Sequence, residues 1–201
     1  MLVLASGSPR RRDLLSRLGV PFEVRPSQVE EREPEPGEDP RHYALDLAGE
    51  KAGDVARRQA RDMVLAADTV VALDRHILGK PVDEADALRM LQLLRGKRHT
   101  VVTGVVVRCG ERERREAVAS VVWMRHFSDA EALRYIATGE PMDKAGAYAV
   151  QGQGGTLVED VEGCYNTVVG LPLCLTVQLL GECGIVLPAG TDPCCGLPVP
   201  L

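Results

Sequence analysis

The run Met63-Val64-Leu65-Ala66-Ala67-Asp68-Thr69-Val70-Val71-Ala72-Leu73 constrains this chain more than any other segment. Its aliphatic and β-branched side chains make it strongly strand-like, yet a carboxylate sits in its middle. Asp68 carries a desolvation cost there unless it faces a cleft, a cation or a metal ion. Exposure at a sheet edge, or a strand that ends early, would explain it without any function.

The segments around this strand alternate in type. Leu2–Ala5 reads as a short strand. The next segment reads as a helix through Leu14, Leu15 and Leu18, with Ser8 as its cap, Pro9 at its first position and Gly19 at its end. Val20–Val29 is expected to be extended, and Glu30–Pro40 is too charged and proline-rich for a core element. A second helix opens at Pro40 with Asp39 as cap, and its apolar positions include Ala44, Leu47, Ala48, Ala52 and Val55. Asp83–Leu94 returns to helical spacing. Val101–Arg108 and Val118–Phe127 are expected to pair antiparallel across the polar turn Gly110–Arg114. Ser128-Asp129-Ala130-Glu131 matches a capping box, and Gly139 with Pro141 ends the helix behind it. A glycine-rich loop at 152–155, strands near 156–161 and 164–169, and a helix over Pro172–Leu180 complete a mixed α/β pattern. The expected organisation is one domain over residues 1–183 and a Pro/Gly/Cys-containing tail at 184–201, its last residues loosely attached.

At 201 residues the chain can bury an adequate core. Its formal charge of −5 does not suggest a nucleic-acid polymer as partner. No stretch approaches the roughly 18 apolar residues of a membrane span. The N-terminus places an apolar run before its arginines, the reverse of a signal peptide, so no membrane association and a cytoplasmic location are expected. Cys109, Cys164, Cys174 and Cys183 stand singly, and Cys194-Cys195 matches neither a redox pair nor a zinc spacing. His42, His76, His99 and His126 show no close metal spacing either. The phosphate loop GxxxxGK[ST] is absent, as is a GxGxxG opening a helix after a strand, so ATPase and Rossmann readings lose their main support.

Four features carry chemistry. Ser6-Gly7-Ser8-Pro9-Arg10-Arg11-Arg12 puts hydroxyls, free N–H groups and three arginines at a helix start. Cations there oppose the helix dipole unless an anion such as a phosphate chain joins them; solvated surface arginines are the alternative. Asp68 would act as a metal ligand or as the general base that positions water. Glu31, in the acidic loop, could join it through a metal, although a glutamate in such a loop is commonly just solvated. Lys51, Lys80 and Lys144 could neutralise phosphate oxygens or a pyrophosphate leaving group, and each alone also reads as a surface lysine. The Gly152–Gly155 run could admit a ligand or form an ordinary tight loop. Tyr148 and Tyr165 are candidates for a base pocket or for the core, whereas Trp123 is expected in the core.

In order along the chain stand Leu4-Ala5-Ser6-Gly7-Ser8-Pro9-Arg10-Arg11, Ala67-Asp68-Thr69-Val70, Leu78-Gly79-Lys80-Pro81, Gly96-Lys97-Arg98-His99-Thr100-Val101, Asp143-Lys144-Ala145-Gly146-Ala147-Tyr148 and Tyr165-Asn166-Thr167-Val168-Val169-Gly170-Leu171-Pro172. Together these blocks resemble the Maf family of nucleotide pyrophosphatases, historically associated with septum formation, over about residues 2–183. The resemblance implies an elongated α/β mixed-sheet fold with a central cleft, similar to inosine triphosphate pyrophosphatases, and a homodimer. It further implies cleavage between the α and β phosphates of a nucleoside triphosphate, dependent on a divalent metal, Mg²⁺ or Mn²⁺. The wording around Met142–Tyr148 is closer to the subgroup acting on dTTP and UTP.

The family's functional positions carry over to Ser8, Arg11, Glu31, Lys51, Asp68, Lys80, Lys144 and Gln151. Arg10 and Arg12 join them as supporting phosphate contacts and Tyr148 as a pocket residue. In this reading Glu31 and Asp68 hold the metal, and Asp68, Lys51 and Lys80 serve catalysis. Two alternatives stay open: a γ-phosphatase releasing orthophosphate, and a non-catalytic interaction protein of cell division.

Overall fold

The computed structural model describes residues 1–58 and 62–188. The strands are β1 (Leu2–Leu4), β2 (Phe22–Val24), β3 (Met63–Leu73), β4 (His76–Leu78), β5 (Arg98–Cys109), β6 (Arg112–Met124) and β7 (Val158–Glu162). The helices are α1 (Pro9–Ser16), α2 (Pro40–Arg58), α3 (Glu84–Leu94), α4 (Asp129–Ile136), α5 (Tyr165–Val169) and α6 (Leu173–Glu182). All seven strands join one mixed sheet in the order β2-β1-β3-β5-β6-β7, with β4 attached to β3.

Strand β3 explains the sheet's shape. On one edge it pairs with β5 from Met63↔Cys109 to Ala72↔Thr100. On its other edge β1 reaches only Met63–Leu65, and β4 covers only Val71–Leu73. The Ala5 N–H donates to the Leu65 carbonyl at 2.8 Å, after which the chain turns away through Ser6-Gly7-Ser8 into α1. Residues 66–70 therefore have no strand beside them on that edge among the described residues. A notch opens there, with Asp68 at its centre.

Both faces of β3 are covered, which is why its sequence is almost continuously apolar. On one face α2 packs Ala48, Ala52 and Val55 onto Val64, Ala66 and Val106, and Tyr43, Ala44 and Leu47 onto Val70 and Val102. The opposite face carries two clusters. Leu65, Ala67, Val105 and Val107 meet the α1 leucines and α6, while Val71, Leu73, Val101 and Val122 meet α3 and α4. Leu14, Leu15 and Leu18 are each at most 2% exposed, worth about 1.5–3 kcal/mol apiece on burial. Between the two clusters, strand alternation places Thr69 beside Thr103, their hydroxyls 2.8 Å apart. Thr103 donates onward to the Thr167 carbonyl at 2.7 Å. A polar seam thus divides the apolar face at the level of the notch.

The helix starts follow their local signals. Ser8 caps α1 with Pro9 at its first turn, the Asp39 carboxylate accepts from the Arg41 N–H at 2.9 Å, Asp83 caps α3, and Ser128 with Glu131 forms a capping box. Elsewhere the structure departs from expectation. Residues 165–169 form helix α5 rather than a strand, and 152–157 form a 3-10 turn before β7. The hairpin turns at Gly110-Glu111, so Arg112–Arg114 already belong to β6, and that strand stops at Met124 rather than Phe127. Only Phe22–Val24 of the segment 20–29 is strand. Trp123 is 38% exposed, not core: it alternates with buried Val122 and Met124, and α2 covers its face only as far as Ala117 and Ala119. Ile185 and Leu187 pack against the α1–α6 cluster, whereas residues 189–201 of the expected tail, with Cys194 and Cys195, lie outside the described residues.

Gly104 is the cross-strand partner of Asp68, and a Cβ there would lie 2.7 Å from backbone atoms of Ala44 in α2. The helix can approach the sheet this closely only because that position has no side chain. Gly104→Ala is expected to cost about 1–3 kcal/mol through overpacking. Gly181→Ala, where nothing lies within 4 Å, is expected to be neutral or slightly stabilising. Thermal melts of the two variants against the parent check the contrast.

Candidate active site

The notch opens into a cavity of about 940 Å³, within the range of small-molecule sites. Seven cationic side chains and five carboxylates line it, so the site carries a positive excess in a chain whose formal charge is −5. Such a balance favours a polyanionic ligand.

Asp68 is 6% exposed and is neutralised by a neighbour on α2. Lys51, one turn beyond Leu47 on the helix face that packs on the sheet, donates to Asp68 Oδ1 and, at 2.7 Å, to Glu31 Oε1. Lys80 donates to the other Glu31 oxygen at 2.9 Å. Four residues from four separate segments thus form one chain of alternating charge. Burial raises the Glu31 pKa, but hydrogen bonds and charge from Lys51 and Lys80 outweigh it and hold the carboxyl down at about 2.

The loop carrying Glu31 is tied to α2 on both sides of that residue. Before it, Asp54 accepts from Ser27 Oγ at 3.1 Å and from the Gln28 N–H at 2.9 Å. After it, the Tyr43 hydroxyl donates to the Arg32 carbonyl, and the Arg32 guanidinium lies over the Tyr43 ring at 4.7 Å. Sequence reading did not reach these supports: Asp54 and Tyr43 look like ordinary helix residues until the loop is seen to fold back on them.

The opening signature forms the adjacent wall. Ser6 Oγ accepts from the Ser8 N–H at 3.2 Å and from Arg11 Nη1 at 3.4 Å, and Ser8 Oγ accepts from the Arg11 N–H at 3.5 Å. No acidic residue occupies the first turn of α1, so its positive dipole end is not offset from within the helix. Arg11 is fastened by Nε to the Gly170 carbonyl at 2.9 Å and by Nη2 to Thr69 Oγ1 at 3.1 Å. Burial lowers its pKa, Asp68 opposes that, and Arg10 adds to it. Arg10 lines the cavity, whereas Arg12 does not: it is exposed and its charge partner is Asp13 at 3.5 Å.

A further part of the lining comes from residues 143–151. Lys144 and Gln151 are among them, with the Lys144 ammonium already bonded to the Asp143 carboxylate and, at 3.3 Å, to the Glu140 carbonyl. Tyr148 both borders the cavity and belongs to the core. It is 5% exposed, and its hydroxyl lies 2.7 Å from His99 Nε2. Burial pushes the Tyr148 hydroxyl pKa up and pulls His99 down to about 4. Tyr165 is not among the lining residues; its hydroxyl reaches the Val150 carbonyl at 3.4 Å. Gly152–Gly155 also stays out of the cavity. Thr69, unremarked in the sequence except as a neighbour of Asp68, links Arg11 to the polar seam.

Among the described residues no group of three or more His, Cys, Asp and Glu is arranged to hold a metal ion by itself. None of the described helices is long and apolar enough to cross a membrane.

Fold and site together define a mixed α/β protein with a cleft of excess positive charge beside its central strand. A family model described as Maf-like protein matches residues 1–183, and the chain belongs to that family. A dTTP/UTP pyrophosphatase of Anaeromyxobacter dehalogenans is 51% identical over 191 residues, spanning 93% of this chain and 96% of its own. Another, of Gloeobacter violaceus, is 49% identical over 181 residues, 90% of this chain and 95% of its own. The solved Staphylococcus aureus Ham1 protein overlays with a TM-score of 0.45 at 13% identity, over 90% of this chain and 98% of that one.

Two pH windows follow from the ionisation pattern. His99 has a folded pKa of about 4, below its ordinary 6.5, so the unfolded chain takes up a proton that the fold refuses. That contribution is complete above pH 6.5 and declines toward pH 4, by about 3 kcal/mol in all. Glu31 behaves alike at lower pH: its contribution is complete above about 4.5 and is lost as pH falls toward 2. Denaturant melts from pH 7 to 3 are expected to show His99→Gln flattening the upper window and Glu31→Gln the lower one. A parent curve unchanged between pH 6.5 and 4 would contradict the neutral His99.

Proposed function

We propose that the protein hydrolyses a nucleoside triphosphate, dTTP or UTP, at the bond between its α and β phosphates, giving the monophosphate and pyrophosphate. The observation that carries the proposal is the Asp68–Lys51–Glu31–Lys80 chain beside the open stretch of β3, in a cavity with excess positive charge. The names of relatives about half identical over nine-tenths of the chain supply the substrate class.

In this reading the triphosphate enters along the cationic wall. Arg10, Arg11 and the Ser8 turn meet its nonbridging oxygens, and Lys144 exchanges part of its bond to Asp143 for the ligand. Lys51 and Lys80 face the bond that breaks, where they offset charge gathering on the departing pyrophosphate. Lys51 holds Asp68 by Oδ1, and Asp68 accepts the proton of the water that attacks the α phosphate. The base lies toward the apolar wall of Tyr148, Val150 and Val168.

Glu31 and Asp68 are two hard oxygen donors that already converge on one cation, the Lys51 ammonium. That donor set fits Mg²⁺ or Mn²⁺, which take one or two protein carboxylates and fill their other positions with substrate phosphates and water. Bound there, the ion would withdraw charge from the phosphate under attack. The reading also takes the protein as a cytoplasmic homodimer, the expectation attached to the family resemblance and to the absence of an apolar span.

Chromatography of products from a panel of triphosphates with Mg²⁺ or Mn²⁺ tests the proposal. Pyrophosphate should appear, with higher kcat/KM for dTTP and UTP than for GTP. Orthophosphate plus a diphosphate would identify a γ-phosphatase instead, and no turnover would favour a binding role. Asp68→Asn is expected to lower kcat by about 10²-fold or more while the variant remains folded. A folded Asn variant with near-parental kcat would remove Asp68 from the chemistry.

A further inference from the structure

Glu140 lies outside the cavity lining, yet its carboxylate organises part of the cavity wall. It opens the short 3-10 turn Glu140–Asp143, just after Gly139 in the left-handed region. Its Oε1 accepts from the Tyr135 hydroxyl at 3.0 Å and from the Gly154 N–H at 3.2 Å, and Oε2 accepts from the Gln153 N–H at 3.2 Å. The Tyr135 oxygen in turn accepts from the Ala149 N–H at 3.1 Å. Burial pushes the Tyr135 pKa far above the usual range, so the hydroxyl stays a donor to Glu140.

The glycines fit this arrangement closely. A Cβ on Gly152 would lie 2.9 Å from Glu140 Oε2, and one on Gly154 would lie 2.5 Å from both the Ala149 carbonyl oxygen and the Tyr135 hydroxyl. The glycine-rich run therefore wraps a carboxylate supplied by the protein itself rather than a phosphate. Between its fastened ends, at the Ala149 and Gln153 N–H groups, stand Ala149, Val150 and Gln151, all of which line the cavity.

We propose that Glu140 is a positioning residue for base selection: by gathering Tyr135, Gln153 and Gly154 around one carboxylate, it fixes the 149–151 wall against which the nucleobase is fitted. The proposal rests on the nucleotide reading above. Glu140→Gln keeps the volume but leaves one acceptor oxygen and turns an NH₂ group toward N–H donors, so the three bonds cannot all persist.

Calorimetric titration of the parent, Glu140→Gln and Tyr135→Phe with non-hydrolysable α,β-imido analogues of UTP and GTP tests this without depending on turnover. Hydrogen exchange of the 148–155 peptide is followed in the same samples. The parent should prefer the UTP analogue, and the variants should narrow that preference by about tenfold, mainly through weaker binding of the UTP analogue. Their 148–155 amides should exchange faster. Wherever UTP turnover is measurable, KM should rise while kcat stays within about threefold. A folded Glu140→Gln protein with parental discrimination and exchange would overturn the proposal, and so would lower stability with discrimination intact. If the Gln variant does not fold, Tyr135→Phe, which retains the ring, decides by the same readouts. A parent that binds neither analogue would instead remove the nucleotide reading itself, and this inference with it.

Discussion

The Lys51 ammonium, seated between Asp68 and Glu31, is the interaction on which the rest of the site depends. A carboxylate at the centre of a buried strand is tolerable because a cation meets it there, and that cation reaches it because α2 lies close to the sheet. Gly104, directly across from Asp68, permits the approach; the loop fastened to Asp54 and Tyr43 delivers the second carboxylate. Buried ion pairs seldom stabilise a fold better than well-packed apolar groups would, whereas removing one partner is strongly destabilising. Their presence here is more economically explained by chemistry than by stability, and the groups fit the task of receiving a charged ligand in the notch.

The notch itself comes from strand lengths. Strand β1 pairs no further than Leu65 and β4 begins to pair at Val71, so β3 is flanked on that edge at its two ends and open between them. Because side chains alternate, Asp68 faces α2 while Thr69 faces the other side, where it meets Arg11 and Thr103. One short stretch of strand thus supplies a charged group to one face and a polar seam to the other. The apolar clusters on either side of the seam anchor the two walls of the cleft.

Much of this was legible in the chain. The caps at Ser8, Asp39 and Ser128 depend on contacts within a single turn, so local sequence is enough to place them. The cost of Asp68 within an apolar run pointed to a cleft or a cation, and the cation is Lys51. What local pattern could not supply was long-range context. Thr167, Val168 and Val169 have strand propensity, but the bond from Thr103 to the Thr167 carbonyl and the burial of Val169 hold them in a helix. Trp123 has the bulk of a core residue, but its outward position in β6 and the reach of α2 leave it half covered. Arg10 and Arg12 look equivalent in sequence, yet the turn of α1 sends one into the cavity and the other to Asp13. Glu140 gave no signal because its three donors come from Tyr135 and from residues more than ten positions further on.

The central claim is that the α phosphate of a nucleoside triphosphate comes to rest at Asp68, in the open stretch of β3. A crystal structure of the parent with Mg²⁺ and a non-hydrolysable α,β-imido analogue of UTP tests it most directly. The account predicts the α phosphate within one water of Asp68, Lys51 and Lys80 on phosphate oxygens, and the base against the 149–151 wall. Phosphates bound elsewhere, with the Lys51 bonds to Glu31 and Asp68 undisturbed and no ordered water between Asp68 and the ligand, would contradict it.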